Sequence, residues 1–189
     1  METLTLSPET QTLQKLAEAC ARQDRASQKA LYDQFKNQLF RVCLRYAANS
    51  QEAEDFLQEG FLKVFKSIHT WQPSGNLVAW MKTIMIHTAL EHQRKLSAKV
   101  GRVDITQAEN LQGTEEILSQ ISGEELMEII QGLPDGFRTV FNLYAVEGYS
   151  HSEIASMLTI SEGTSKSQYS RAKSILRDKC SQLLEGSRS

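Results

Sequence analysis

Residues 148–166 constrain the fold more than any other stretch, because their spacing predicts two helices joined by a short turn. Ser150 followed by Glu153 forms the S-x-x-E capping pattern, which predicts that a helix begins at residue 151. Ser161 closes the turn and is a favoured N-cap for the second helix. The small side chain of Ala155 allows the two helices to cross closely. The segment therefore predicts a helix-turn-helix, which typically presents its second helix to a major groove; an ordinary helical hairpin is the alternative.

The charges of the chain are nearly balanced overall but strongly segregated along the sequence. The 189 residues contain 21 Lys and Arg and 23 Asp and Glu, for a formal net charge of −2. Residues 82–102 hold five Lys or Arg against one acid, and residues 162–179 hold five against two. Residues 104–128 hold seven acids and no base. Two basic modules flanking an acidic connector indicate two contacts with a polyanion, whereas the alternative for each module is a solvated helix face.

The cysteines and the hydropathy of the chain bear on its compartment. Cys20, Cys43 and Cys180 are odd in number and widely spaced, so they match neither a zinc site nor a disulfide framework. No run approaches the roughly 18 apolar residues that a membrane span needs. Residues 1–8 lack the basic and apolar segments of a signal peptide. We therefore expect a cytoplasmic protein without membrane insertion, metal or cofactor.

Apolar residues repeat with helical spacing along most of the chain, and no segment alternates convincingly at period two. The fold class is therefore predicted to be all-α. Residues 98–123 have weak periodicity and three glycines, which predicts a flexible acidic linker between two helical domains, 1–97 and 124–189. The predicted helices begin near Pro8, before Leu31, at Ser50, at Leu77, after Ser122 and near Pro134, the last one with Phe137, Val140, Phe141 and Tyr144 inside and Gly148 as its stop.

Two blocks of sequence resemble a known family. Residues 53–65 read Ala-Glu-Asp-Phe-Leu-Gln-Glu-Gly-Phe-Leu-Lys-Val-Phe and are similar to an A-E-D-apolar-x-Q-E-x-F stretch. The second block combines Gly132-Leu133-Pro134, the run Phe137-Arg138-x-Val140-Phe141, the helix-turn-helix and Arg171-Ala172-Lys173. In order and spacing they resemble the two modules of an extracytoplasmic-function (ECF) sigma factor, the smallest class of the sigma-70 family, with region 2 in the first domain and region 4 in the second.

The resemblance implies a bacterial transcription initiation factor that is not an enzyme. Its implied partners are core RNA polymerase, through the β′ clamp helices and the β flap, promoter DNA and an anti-sigma factor. Region 2 of such proteins binds polymerase and melts the −10 element by capturing unstacked bases, which requires flat or apolar pockets with cations nearby. Region 4 reads the −35 element with its helix-turn-helix.

The resemblance also assigns three sets of site residues. For polymerase binding they are Asp55, Gln58, Glu59 and Lys63, which helical spacing places on a different side from the apolar stripe of the same helix. For the −10 element they are Trp71, Gln72, Asn76, Lys82, Thr83, His87, Glu91, Arg94 and Lys95. For the −35 element they are Thr164, Lys166, Ser167, Gln168, Ser170, Arg171 and Lys173.

Several positions depart from the family pattern. His87 stands where Asn is usual, and Ser165 stands where an apolar residue is common. Gln168 and Ser170 replace cations, which lowers nonspecific phosphate attraction and predicts a −35 preference of its own. Gly60 costs up to about 1 kcal/mol in a helix interior, which either close approach to a partner helix or sequence drift would explain.

Two other classes of function are considered. A two-site DNA-binding regulator that recruits no polymerase fits the basic modules, but the acidic helix at 52–59 argues against it. An enzyme is not supported by any nucleophile–base pair or phosphate loop, and residues 87–92 read H-x-x-x-E-H, which matches no zinc protease pattern. For the acidic linker we expect mimicry of a phosphate backbone inside polymerase, with a solvated disordered tether as the alternative.

Overall fold

The computed structural model describes residues 8–100 and 123–186, and every regular element in these two ranges is helical. The predicted all-α fold class is confirmed. A 3₁₀ turn, Ile68–Thr70, follows the third helix and a π-helical turn, Asn142–Val146, follows the sixth. The helices are α1 (Pro8–Ala21), α2 (Arg25–Tyr46), α3 (Ser50–Ser67), α4 (Leu77–Val100), α5 (Gly123–Gln131), α6 (Asp135–Phe141), α7 (His151–Leu158) and α8 (Glu162–Gly186).

The described residues divide into two compact units. The first consists of residues 8–44 and 50–91, and the second of residues 45–49, 92–100 and 123–186. The domain boundaries drawn from the sequence stay a prediction. Helix α4 continues to Val100 and α5 begins at Gly123, so regular structure enters the predicted linker 98–123 at both ends. The middle of that linker, with four of its acids, lies outside the described residues.

The core of the first unit uses the apolar stripes of α2 and α3, as the helical spacing of the sequence predicts, together with apolar residues of α4. Tyr32 of α2 and Phe61 of α3 lie with their ring centroids 4.7 Å apart. The stripe of α2 is spaced by four, four and three residues, so its members share one side of the helix. The buried side chains are Leu31, Phe35, Leu39 and Val42 from α2, Phe56, Leu57, Phe61 and Val64 from α3, and Leu77, Met81, Met85, Ala89 and Leu90 from α4.

Gly60 marks a close approach between α3 and α4. A Cβ atom at this position would overlap the thioether of Met85, with the Met85 Cε only 2.9 Å away. Both residues are buried. The glycine therefore offsets its poor helix propensity by making room for the facing side chain.

The core of the second unit is formed by α5, α6 and α8. Its buried members are Ile129, Ile130, Leu133, Phe141, Ala172, Leu176 and Cys180, with Leu126, Phe137, Tyr169 and Ile175 packed against them.

The predicted single helix over 134–147 is wrong in its second half. Helix α6 ends at Phe141, and the next turn is π-helical, with the N–H of Glu147 donating to the carbonyl of Asn142 over 3.0 Å. The wider turn shifts the register of the side chains by one position, because it inserts an extra residue per turn. Tyr144, expected inside, is consequently 39% exposed. Gly148 follows with a φ of +80°, which suits the expected stop.

We predict that Gly60→Val destabilises the protein by about 1–3 kcal/mol, because the added methyl groups must displace Met85 from a packed position. Chemical unfolding measures the change. Gln58→Val is the matched control, since it places the same side chain on the exposed side of α3. Equal stabilities of the two variants would contradict the close approach.

Candidate nucleic-acid and partner interfaces

The predicted helix-turn-helix is present, and both of its helices are capped as the sequence indicates. Before α7, the N–H of Ser150 donates to Glu153 Oε2 over 2.8 Å, and the N–H of Glu153 donates to Ser150 Oγ over 3.3 Å. In the turn, Thr159 adopts a left-handed conformation with a φ of 57°. Ser161 Oγ then accepts a 2.9 Å hydrogen bond from the N–H of Thr164. These bonds fix where α7 and α8 begin.

One side of α8 is buried and determines which side faces outward. Ser165, Ala172 and Leu176 are at most 1% exposed, and their spacing of seven and four residues places them on one side of the helix. The opposite side carries Ser167, Ser170 and Arg171, three of the residues that the sequence assigns to −35 reading.

The basic side chains among the candidate −35 residues differ in their surroundings. Lys166 is exposed and pairs with Glu162 over 2.6 Å, an interaction that a solvated surface makes weak. Arg171 is exposed. The Nζ of Lys173 lies 5.0 Å from the ring centroid of Tyr169, close enough for a cation–π contact. Thr164, Ser167, Gln168, Ser170 and Lys173 are half-buried.

Gln168 lies on the flank of α8 that faces α6. Its Oε1 and Nε2 are 3.5 and 3.6 Å from the point that a Cβ on Gly136 would occupy. Reaching a base edge would therefore require Gln168 to rotate away from this position.

Two further cations of α8 have surroundings that the charge pattern does not reveal. Lys179 Nζ donates to the carbonyl of Gly132 over 3.2 Å, at the C-terminal end of α5, where a cation is favoured by the helix dipole. Arg177 has buried Nε and Nη2 atoms. The outward basic face of the helix is therefore smaller than its Lys and Arg content suggests.

His151 joins the first turns of α7 and α8. Its Nδ1 lies 2.9 Å from the hydroxyl of the buried Ser165. Its ring stacks on Tyr144 at a centroid distance of 4.2 Å and an interplanar angle of 12°, and meets Tyr169 at 5.8 Å. Desolvation, followed by the nearby charge of Lys166, lowers the pKa of His151, so the neutral imidazole is favoured.

On α3, the residues assigned to polymerase binding form a continuous stripe. Asp55 and Gln58 are exposed, while Glu59 and Lys63 are half-buried. Lys63 Nζ bonds Glu59 Oε1 over 3.0 Å and Glu91 Oε2 of α4 over 2.8 Å. Partial burial lowers the pKa of Lys63, but the hydrogen bonds that Lys63 donates to Glu91 and Glu59 outweigh this and raise the pKa.

Leu62 is a residue of this stripe that the sequence analysis missed. Its side chain is 71% exposed, and helical spacing places it between Asp55, Gln58 and Glu59. Its position outside the 57–61–64 apolar spacing is the signal that would have identified it. Single exposed leucines are common on protein surfaces, but one that lies among polar groups can supply the apolar centre of an interface with a polar rim.

The candidate −10 residues are distributed between the loop before α4 and the outer side of α4. Trp71, expected to offer a flat surface, is only 9% exposed, and its Nε1 donates to the carbonyl of Gly75 over 3.2 Å. Asn76 caps α4, since its Oδ1 accepts from the N–H of Ala79 over 3.0 Å. Thr83, His87 and Glu91 follow at steps of four on one side of the helix. Of the remaining candidates, Gln72, Arg94 and Lys95 are exposed and Lys82 is half-buried.

Residues 8–100 and 123–186 lack two further kinds of feature. They contain no group of three His, Cys, Asp or Glu side chains placed to hold a metal ion. None of their helices has the length and apolar character to cross a membrane. Cys20, Cys43 and Cys180 are buried free thiols.

Fold and surfaces together define an all-α protein whose C-terminal helix-turn-helix follows an N-terminal helical unit with a polar, leucine-bearing helix surface. Residues 31–99 match the family model for sigma-70 region 2, and residues 123–176 match the model for sigma-70 region 4. The chain belongs to the ECF sigma factors of the sigma-70 family. It is therefore a transcription initiation factor, which directs RNA polymerase to promoters, and not an enzyme.

The chain is also similar to individual sigma factors. The chain is 27% identical over 183 residues to the RNA polymerase sigma-H factor of Pseudomonas aeruginosa, covering 90% of this chain and 94% of that protein. It is 29% identical over 153 residues to the ECF sigma factor SigE of Mycolicibacterium smegmatis, covering 78% of this chain but only 59% of that protein. The structure of the sigma factor RpoE from Bartonella quintana, solved with the anti-sigma factor NepR, aligns with a TM-score of 0.49 at 21% identity, covering 79% of this chain and 94% of that one.

Proposed function

We propose that the protein reads two promoter elements, with α8 contacting the −35 element and the loop 71–76 and α4 contacting the −10 element, while α3 binds core polymerase. The observation that carries the proposal is the capped helix-turn-helix, which buries one side of α8 and directs Ser167, Ser170 and Arg171 outward. Such geometry suits insertion of a helix into a major groove.

Within α8, we divide the candidate residues by the contacts they suit. Arg171 is exposed in the first turns of the helix and can donate two parallel hydrogen bonds to a guanine edge. Thr164, Ser167 and Ser170 add shorter hydroxyl donors and acceptors. Lys166 and Lys173 lie on the flanks and suit phosphate oxygens, which bind without sequence preference. Gln168 can contact a base edge only after its side chain rotates away from Gly136.

For the −10 element, the outer side of α4 supports capture of single-stranded bases. Thr83 and His87 provide hydrogen-bonding groups at a helical spacing, and Arg94 and Lys95 provide exposed cations further along. The placement of Trp71 and Asn76 supports a more structural role, in which they hold the loop that presents Gln72.

For polymerase, the stripe on α3 combines carboxylates with an apolar anchor. Asp55 and Glu59 suit basic groups on the β′ clamp helices, and Leu62 suits an apolar pocket between them. Contact of the second domain with the β flap and binding of an anti-sigma factor are further partners that the family suggests. A cytoplasmic location follows from this role.

We predict that Asp55→Arg combined with Glu59→Arg abolishes binding to core polymerase, because it reverses the charge of the proposed contact surface. Affinity for core polymerase and the melting temperature are measured together. Glu18→Arg combined with Glu128→Arg is the control, since it makes the same change in net charge at two exposed positions without an assigned role. If the Asp55/Glu59 variant binds core polymerase with wild-type affinity, this surface is not the polymerase contact.

Leu62→Ser should weaken binding to core polymerase by about tenfold while leaving the melting temperature unchanged, because the lost methyl groups contact the partner and not the core. Leu183→Ser is the control, as Leu183 is an exposed leucine of α8. Equal affinities of the two variants for polymerase would show that Leu62 is an ordinary exposed residue.

The third pair of variants separates base reading from phosphate attraction. Arg171→Ala should cost about 1–3 kcal/mol and relax the preference at one or two −35 positions. Lys173→Ala should weaken all promoters alike and reduce the salt slope by about one. Transcription from a promoter library at several salt concentrations distinguishes them, and identical uniform losses would mean that α8 holds DNA without reading it.

A further inference from the structure

Ser165 is a polar residue at a buried position, of the kind that apolar side chains usually occupy. It is fully buried, in the first turn of α8, on the side that faces the rest of the second unit. An apolar side chain at such a position could slide over its neighbours. A buried hydroxyl must instead be satisfied by a partner, because leaving it unpaired is costly.

The partner is the imidazole of His151, at the start of α7. The Nδ1–Oγ distance of 2.9 Å is that of a normal hydrogen bond. The imidazole is itself held, since it stacks on Tyr144 of the π-helical turn and meets the ring of Tyr169 of α8. The imidazole of this α7 residue thus contacts two other elements, the π-helical turn and α8.

We propose that His151 is a positioning residue for promoter recognition, which sets the orientation of α8 through a directional hydrogen bond to Ser165. The inference rests on the proposed −35 reading by α8, and it assigns His151 no contact with DNA. Thr164, Ser167 and Arg171 lie within two turns of Ser165, so a small rotation of the first turn would move all three relative to base edges. A hydrogen bond restricts such a rotation more than apolar contact does, because it depends on angle as well as distance.

Three variants separate the hydrogen bond from the ring. His151→Asn keeps a hydrogen-bonding group near the position of Nδ1 but removes the ring. His151→Phe keeps a ring that can stack on Tyr144 but removes the hydrogen bond. Ser165→Ala removes the hydroxyl and leaves the imidazole in place.

The measurement is transcription by the assembled holoenzyme from a promoter found in a library screen and from the same promoter with a scrambled −35 element. The ratio of the two activities is the −35 discrimination. We expect it to fall about five- to tenfold in His151→Phe and in Ser165→Ala, the size of one lost hydrogen bond. His151→Asn should stay within about twofold of wild type.

The double variant His151→Phe/Ser165→Ala tests whether the effect is one of positioning or of stability. It removes the unpaired hydroxyl, so its melting temperature should rise above that of His151→Phe alone. Its discrimination should nevertheless stay as low as in the single variants, since both changes remove the same bond. Recovery of discrimination together with stability would overturn the positioning role.

Two other outcomes would also overturn it. In one, the wild type discriminates strongly while His151→Phe and Ser165→Ala discriminate equally well. That result would contradict the positioning role of His151 and leave the proposed −35 reading intact. A wild-type ratio near one would remove the −35 reading and this inference with it.

Discussion

The burial of one side of α8 is the constraint on which the proposed DNA contacts depend. Ala172, Leu176 and Cys180 recur every four residues and pack into the core of the second unit. Ser167, Ser170 and Arg171 lie on the opposite side of the helix from these buried residues, so this packing makes them face outward. The apolar core of the second unit and the polar surface proposed to read DNA are therefore two sides of the same helix.

Fewer unpaired cations lie on the outer surface of α8 than its composition suggests. Among the five Lys and Arg residues of α8 up to Lys179, Lys179 caps the end of α5 and Arg177 is partly buried. Lys166 has an acidic neighbour one turn away. A weaker basic surface lowers nonspecific attraction to phosphates and leaves more of the binding energy to contacts that depend on sequence. Lys63 in the first unit similarly bridges two carboxylates rather than standing alone.

Local patterns in the sequence predicted the helix starts well and the individual contacts less well. The Ser150–Glu153 capping box and the Ser161 cap depend on neighbours within three residues, so the sequence contains all the information needed. The π-helical turn that exposes Tyr144 depends on how α6 packs, which no local pattern records. The bond between His151 and Ser165 joins residues 14 apart and requires the turn geometry. Trp71 is a candidate for base capture by resemblance, and the sequence does not reveal that most of its apolar surface is buried. Burial of a large aromatic side chain in the core is strongly stabilising.

The central claim is that the chain turns core polymerase into an enzyme that initiates at promoters with a defined −35 and −10 sequence. The most direct test is in vitro transcription with core polymerase, with and without the protein, on a library in which both elements are randomised. We predict that transcripts appear only with the protein present and come from templates that share one sequence motif at each element. Transcription that is independent of both elements, or specific binding of the protein to promoter duplex without any transcription, would contradict the account.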